Sequence, residues 1–340
     1  MYDYRSGTLS VGGQRLSLDD ASGELCFVSH AHSDHTSAFG KGKPIIASEE
    51  TFAIAGRRAQ RGALPAGITL HHAGHMLGAR QLLAQFDGGA FAYTGDFSLH
   101  DSYAARAAEM LQCDTLMIDS TYCLPQMSFP KRYDVLARME RFVKQNSGSV
   151  LLFGAYSTGK AQELVSFLNR ECGVAPVVGS RAARVCAAYE KCGVRLDYIA
   201  AGSEEAEEEE KRAHSAILPL PEVNFASGAR AAARLGRAVK TAVATGWAAS
   251  SRFPVDEAFP LSDHADFADT MRYIHGSGAK TVVCANSNSQ QAARYLGSIG
   301  INAVAKRCCA LPELECAHSN KIEKGEPNPG VQAKLAGLRA

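Results

Sequence analysis

At 340 residues the chain is too long for one ordinary small domain, and 46% hydrophobic with 21% charged residues are globular proportions with material for a sizeable core. Lys and Arg number 36 against 35 Asp and Glu, a formal net charge of +1, which excludes holding a polyanion by bulk charge; local groups would have to grip it. No apolar run approaches the ~18 residues that suggest a membrane span, so no membrane partner is expected. The opening MYDYRSGTLS lacks the basic-then-apolar pattern of a secretory leader, and ten irregularly spaced cysteines are then expected as reduced thiols in a cytoplasmic protein.

In chain order, residues 8–14 with their Gly-Gly pair, 24–29 and 43–47 have strand length and composition. A helix is expected over 49–60, strands over 68–73, 81–85 and 90–93, a helix over 103–111 and a strand over 115–119. Short strands mixed with helices suit a layered α/β domain. From about Tyr133 the texture changes: a helix over 133–145, a strand over 149–153, a turn and a helix over 160–169 alternate as the βαβ units of a parallel sheet do. The acidic run 204–210 reads as a solvated helix face. The strand-like TAVATGW (241–247) opens a stretch that closes with a strand over 281–285 and a helix after it. Residues 319–340, polar and rich in Gly, Pro and Lys, read as a flexible tail, and no internal repeat is visible.

The decisive segment is CFVSHAHSDH (26–35). An apolar strand ends, and His30, His32, Asp34 and His35 follow within six residues. Imidazole nitrogen and carboxylate oxygen suit Zn²⁺, and alternate residues just past a strand can face one centre. A metal centre needs further ligands, and two follow strands downstream: His75 in the glycine-flanked AGHMLG and Asp96 in YTGDF. A carboxylate in such a place can bridge two ions about 3.5–4 Å apart.

HAHSDH, GHMLG and TGDF resemble the metallo-β-lactamase superfamily. IDSTY (118–122) and LSDHADF (261–267) resemble the acidic and histidine motifs of its β-CASP nucleases. The resemblance runs from about Thr8 to about Gly300 and leans to the ligase-associated and crosslink-repair DNA nucleases, with the RNA-processing branch as the other possibility. It implies an α/β fold: a metallo-β-lactamase αββα sandwich over 1–125 and 241–318, a parallel α/β β-CASP insertion over 126–240, and the tail over 319–340. It implies a zinc-dependent nuclease cleaving phosphodiester bonds, DNA favoured over RNA, with Mn²⁺ or Mg²⁺ able to substitute. His30, His32, His75 and Asp96 would hold the first zinc; Asp34, His35 and the shared Asp96 would hold the second. His264 would act as general acid, oriented by Asp119, with Asp34 counted in the catalytic set and Asp19 a supporting aspartate. The chemistry agrees, because phosphodiester hydrolysis needs a hydroxide at neutral pH, neutralised phosphate charge and a proton for the leaving oxygen.

One departure stands out. Where family nucleases often carry a histidine after the last core strand, VVCANSN (282–288) offers Asn286. An amide oxygen is a poorer zinc ligand than imidazole, so the second ion is expected to be the more labile.

GAYSTGKA (154–161) spells G-x-x-x-x-G-K but has Ala161 where a Mg²⁺-binding hydroxyl belongs. Ser157, Thr158 and Lys160 are therefore candidates to hold a phosphate of a bound strand, the alternative being a tight strand-to-helix connection. Arg181, Arg184, Arg230, Arg234 and Arg237 are candidate cleft residues or plain surface charges. Trp247 is a base-stacking or a core residue. Cys308, Cys309, Cys316 and His318 do not follow a standard finger spacing and read as thiols rather than a structural metal site. Two other functions fit less well: a degenerate nucleic-acid-binding protein with a weakened second site, and a thioester-type hydrolase, which would not require the inserted region.

Overall fold

A computed structural model of the protein describes residues 2–3, 7–202 and 214–306. The acidic run, the tail and the 308–318 cysteine group fall outside the described residues. The first sheet joins β1 (Tyr2–Asp3), β2 (Thr8–Val11), β3 (Gln14–Leu18), β4 (Leu25–Phe27), β5 (Pro44–Ile46) and β6 (Gln60–Arg61), in that order. The single strand expected over 8–14 is instead a hairpin. Gly12 and Gly13, at φ of 56° and 80°, turn the chain back so that Val11 pairs with Gln14.

The second sheet begins as an antiparallel meander of β7 (Ile68–His72), β8 (Arg80–Phe86) and β9 (Gly89–Tyr93), then continues in parallel through β10 (Thr115–Asp119), β17 (Thr281–Ala285) and β18 (Ala303–Ala305). Period-2 alternation sorts its side chains. Met117 and Val283 turn toward the first sheet, where Leu16, Leu18 and Phe27 meet them. Leu116, Ile118, Val282 and Cys284 turn the other way, in one cluster with Tyr273 and Ile274 of α6 (Phe267–Ser277) and Ala292 and Leu296 of α7 (Ser289–Ser298). The far face of the first sheet is covered by Ala38, Phe39 and Phe52, the last on α1 (Glu49–Ala55). The result is an αββα sandwich.

The third sheet is parallel throughout, in the order β13 (Ile199–Ala200), β12 (Val177–Val178), β14 (Ser215–Pro219), β11 (Val150–Ala155), β15 (Val239–Ala244), β16 (Glu257–Phe259). Leu151 and Phe153 pack toward α2 (Arg132–Gln145) and α3 (Lys160–Cys172), while Val150 and Leu152 pack toward α5 (Phe225–Leu235). Burial on both faces explains the run VLLFGA, apolar throughout. Helix α4 (Ser180–Lys191) joins β12 to β13. The sheet does not stop at 240, because β15 crosses that position and β16 pairs with it. Among the described residues, no helix is long and apolar enough to cross a membrane.

Two expected helices are corrected. The one expected over 49–60 ends at Ala55, because Gly56 adopts φ 61° and caps the helix through its N–H to the Phe52 carbonyl, freeing Gln60 to pair with β5. The one expected over 103–111 does not form. Its backbone donors go elsewhere: Ala107 to Asp101 Oδ1, Ala108 to the Ser98 carbonyl, Glu109 to the His72 carbonyl and Leu111 to the Tyr273 hydroxyl. Tertiary partners have outcompeted the helical i−4 carbonyls.

Gly74 shows how tightly the site loops are packed. It sits at φ 77°, and an added Cβ would lie 2.1 Å from the Ser98 carbonyl oxygen and 2.8 Å from the Ala108 nitrogen. Gly74→Ala is expected to destabilise the protein by about 2 kcal/mol or more, read as a lower midpoint in chemical denaturation; an unchanged midpoint would refute this packing.

Candidate metal centre

Topology brings the candidate residues to one edge. Strands β9, β10 and β17 run parallel in register, Tyr93 beside Met117 and Asp119 beside Ala285. The residues just beyond their carboxyl ends therefore share one place: Asp96, Ser120 and Asn286. The chain leaving β4 delivers Ser29 and His30 to the same edge, and the β7–β8 connection delivers His75.

His30, His32, His75 and Asp96 each turn one ligand atom inward, all within 4.8 Å of one another. His30 Nε2 lies 3.0 Å from His32 Nδ1, and His75 Nε2 lies 3.1 Å from the same atom. Asp96 Oδ2 is 3.5 Å from His30 Nε2 and 3.6 Å from His75 Nε2. The outer ring nitrogens decide what these short distances mean. His32 Nε2 faces the Thr158 carbonyl at 3.1 Å and His75 Nδ1 faces the Asp263 carbonyl at 2.9 Å, so both carry the proton and donate. His30 Nδ1 lies 2.9 Å from Ser29 Oγ, whose own proton goes to Asp19 Oδ2 at 2.6 Å, so His30 donates outward too.

All three inner nitrogens of the neutral rings are therefore lone pairs, and they converge on one another and on a carboxylate. Charged rings would not relieve this. Burial first, then the neighbouring imidazoles, holds His30 and His75 well below the ordinary histidine range, and burial lowers His32 to about 4. Four electron-rich atoms facing inward fit a cation. Ligands about 2.0–2.1 Å from a tetrahedral zinc stand about 3.4 Å apart, close to the 3.0–3.6 Å seen here.

A second group adjoins the first through Asp96. His35 Nε2 is 3.5 Å from Asp96 Oδ1 and 3.6 Å from the exposed Asp34 Oδ2. Burial opposes charging His35, yet Asp96, Asp19 and Asp34 raise its pKa to about 10, so this pocket too calls for positive charge. Asp19 orients rather than faces the centre. Its Oδ1 accepts from the Ser29 N–H at 2.6 Å, and its Oδ2 from Ser29 Oγ at 2.6 Å, His35 Nδ1 at 2.7 Å and the Tyr93 hydroxyl at 2.7 Å. Burial works against its ionisation, but His35 and these donors win and hold it below the usual aspartate value.

His264 stands beside both groups. Its Nδ1–H donates to Asp119 Oδ2 at 2.7 Å, and its Nε2 faces Asp96 Oδ2 at 3.9 Å. Asp119 Oδ1 accepts from the Thr121 N–H at 3.0 Å and its hydroxyl at 2.7 Å. Against the penalty of burial, His264 and these bonds lower Asp119 to about 2, while Asp119 and Asp96 raise His264 to about 9. Asn286, at φ 66°, donates from Nδ2 to Asp96 Oδ1 at 2.7 Å and to Asp119 Oδ1 at 3.0 Å. Both neighbours are acceptors, which fixes the amide with its nitrogen inward.

The phosphate-loop candidates are placed differently from expectation. Lys160 is 4% exposed, its ammonium between Glu163 Oε2 at 2.6 Å and Asp263 Oδ1 at 2.5 Å, so no free charge faces solvent. Thr158 contributes its carbonyl to His32, and Ser157 accepts from Gln162 Nε2 at 3.2 Å. Arg181 and Arg184 lie exposed on α4, Arg230 and Arg234 on α5, and Arg237 is half-buried. Trp247 is half-buried against Tyr122, ring centroids 4.9 Å apart, and Tyr122 in turn lies 5.7 Å from His264. Sequence reasoning missed the carbonyls of Thr158 and Asp263, and no residue type announces a carbonyl.

No family model matches the chain. A protein from Opitutus terrae named "Probable DNA ligase" is 32% identical over 301 residues, taking in 82% of this chain and 28% of that protein. The mouse "5' exonuclease Apollo" is 29% identical over 164 residues, 41% of this chain and 30% of that protein. The chain thus spans under a third of these relatives. A crystal structure of a protein of unknown function from Enterococcus faecalis V583 is 15% identical, with a TM-score of 0.54 over 85% of this chain and 79% of that one, a likeness of fold.

If the converging lone pairs await a cation, chelation should lower the unfolding temperature and added Zn²⁺ or Mn²⁺ should restore it; an ion at a hundredfold its Kd stabilises by about 2.7 kcal/mol. His30→Ala/His75→Ala should lose that response in a thermal-shift titration. An equal response in the two proteins would count against this centre.

Proposed function

This chain belongs to the β-CASP family of the metallo-β-lactamase superfamily, and from that premise we propose that it is a zinc-dependent nuclease acting on DNA. The observation that carries the reading is the His264–Asp119 pair set against the histidine–aspartate cluster, with His264 Nε2 turned toward Asp96. His30, His32, His75 and Asp96 would hold the first ion, and Asp34, His35 and Asp96 the second. A bound divalent ion supplies neutralisation of phosphate charge and acidification of water. The nitrogen-rich donor set supports zinc, with Mn²⁺ or Mg²⁺ able to substitute.

The protein's own groups supply the rest. Asp119, held ionised, fixes the Nδ1–H tautomer of His264 and turns Nε2 toward the leaving oxygen. Asp119 raises the pKa of His264 and so favours the protonated form from which a general acid donates. Asp96 Oδ1, the atom nearest His35, already accepts from Asn286, which supports a second ion held less firmly than the first. DNA rather than RNA is supported by the name of the similar Opitutus protein, "Probable DNA ligase".

Labelled single- and double-stranded DNA and RNA, incubated with protein and Zn²⁺ or Mn²⁺, test the proposal directly. DNA cleavage is expected from the wild type and not from Asp34→Ala/His35→Ala; no difference between them on any substrate would end the nuclease reading. His264→Ala should slow cleavage by about 10²–10⁴. The proton-donating form of His264 is lost as pH rises through its pKa, and Asp119 is what chiefly raises that pKa. Asp119→Asn should therefore move the basic limb of the kcat–pH profile to lower pH, and a limb that stayed in place would separate Asp119 from the proton donor.

A further inference from the structure

Two of the cluster's imidazoles are steered from outside by backbone carbonyls, and the two carbonyls come from different parts of the fold. His32 donates to Thr158, in the turn between β11 and α3 of the third sheet. His75 donates to Asp263, in the segment that leaves the third sheet after β16 and enters α6 of the sandwich. The turn sits directly on the ring: a Cβ added to Gly159 would come within 3.4 Å of His32 Nε2 and 3.6 Å of Met76 Cβ. It is also braced internally, since Gln162 Oε1 accepts from the Gly159 N–H at 2.8 Å.

Lys160 joins the two carriers. It follows the turn by one residue, and its buried ammonium donates to Asp263 Oδ1 at 2.5 Å and to Glu163 Oε2 at 2.6 Å. Glu163 is also paired with Arg132 of α2, whose Nη1 donates to the Ser262 carbonyl at 3.3 Å. Two cations and two anions thus form a neutral buried chain, and its bonds to 262 and 263 end within two residues of His264. A buried ion pair is weak evidence of stability, and its best-attested use is to fix register. Replacing a group that orients a metal ligand typically costs about 10–100-fold in metal affinity or activity.

We propose that Lys160 is a positioning residue, coupling the seating of the third sheet to cation affinity: through Asp263 it locks together the two segments whose carbonyls aim His32 and His75. The inference rests on the cluster being a cation site, and it assigns Lys160 a role other than phosphate binding. Because coupling is reciprocal, the cation should tighten the same two segments.

The test is a competition titration of Zn²⁺ against a chromophoric chelator, on the full chain, with folding checked by circular dichroism. Lys160→Met and Asp263→Asn should each weaken Zn²⁺ binding about 10–100-fold, and the double variant should be little worse than either alone. Amide exchange of the wild type with and without Zn²⁺ reads the same coupling where a variant fails to fold: added protection is expected across 156–164 and 260–266. Folded variants that bind Zn²⁺ as the wild type does, or protection confined to 28–36, 73–78 and 94–98, would overturn the coupling. A wild type that took up no Zn²⁺ at all would overturn the cation site itself, a distinguishable result.

Discussion

Unprotonated imidazole nitrogens repel one another, and the rest of the site follows from forcing three of them together. The inner nitrogens of His30 and His75 are held 3.0 and 3.1 Å from that of His32 because each outer nitrogen is committed to an acceptor. A fixed tautomer is a fixed direction for the lone pair. The unfavourable convergence persists because burial denies the rings the easy escape of taking up protons, and because the sandwich beneath them does not give way. Such an arrangement stores affinity for a cation in advance.

The layers of the fold divide this work. The two sheets of the sandwich bring strand ends to a common edge, so ligands distant in sequence arrive together without long loops. The third sheet adds what the sandwich lacks, a carbonyl at Thr158 and a bracing cation at Lys160. The unit expected to grip substrate thereby also completes the outer surroundings of the cluster. Aspartates are divided in the same manner: Asp96 faces inward, while Asp19 and Asp119 spend their oxygens on orienting His35 and His264.

Much of this was legible in the sequence, for identifiable reasons. HAHSDH, GHMLG and TGDF each follow a strand, and both the strands and the side-chain chemistry have clear residue signatures. The strand over 281–285 and the parallel alternation after Tyr133 were readable because fully buried strands need unbroken apolar runs. Residues 103–111 misled because helical composition says nothing about Ser98, His72 and Tyr273 competing for the backbone donors. The surroundings of Lys160 were silent for a related reason. A G-x-x-x-x-G-K pattern fixes the turn, but the carboxylates that neutralise its lysine lie 3 and 103 residues away. Site backbone strain was equally silent: among the described residues Asp19, Asn286 and Asn288 have positive φ without being glycine, and the first two touch the site.

Asn286 shows what an amide can do where the family resemblance implies an imidazole. An imidazole at this position could turn one ring nitrogen toward the centre, whereas the amide turns two N–H bonds, one to Asp96 at 2.7 Å and one to Asp119 at 3.0 Å. Asp96 belongs to the cation groups and Asp119 to the proton donor, so a single neutral side chain brackets the two halves of the proposed chemistry. Each carboxylate is buried, and without this donor they would face one another with one fewer source of compensation. In the proposed chemistry the asparagine would trade part of a second ion's coordination for a fixed spacing between the ion's carboxylate and the acid's, and fixed spacing is what transfer of a proton to a leaving oxygen requires.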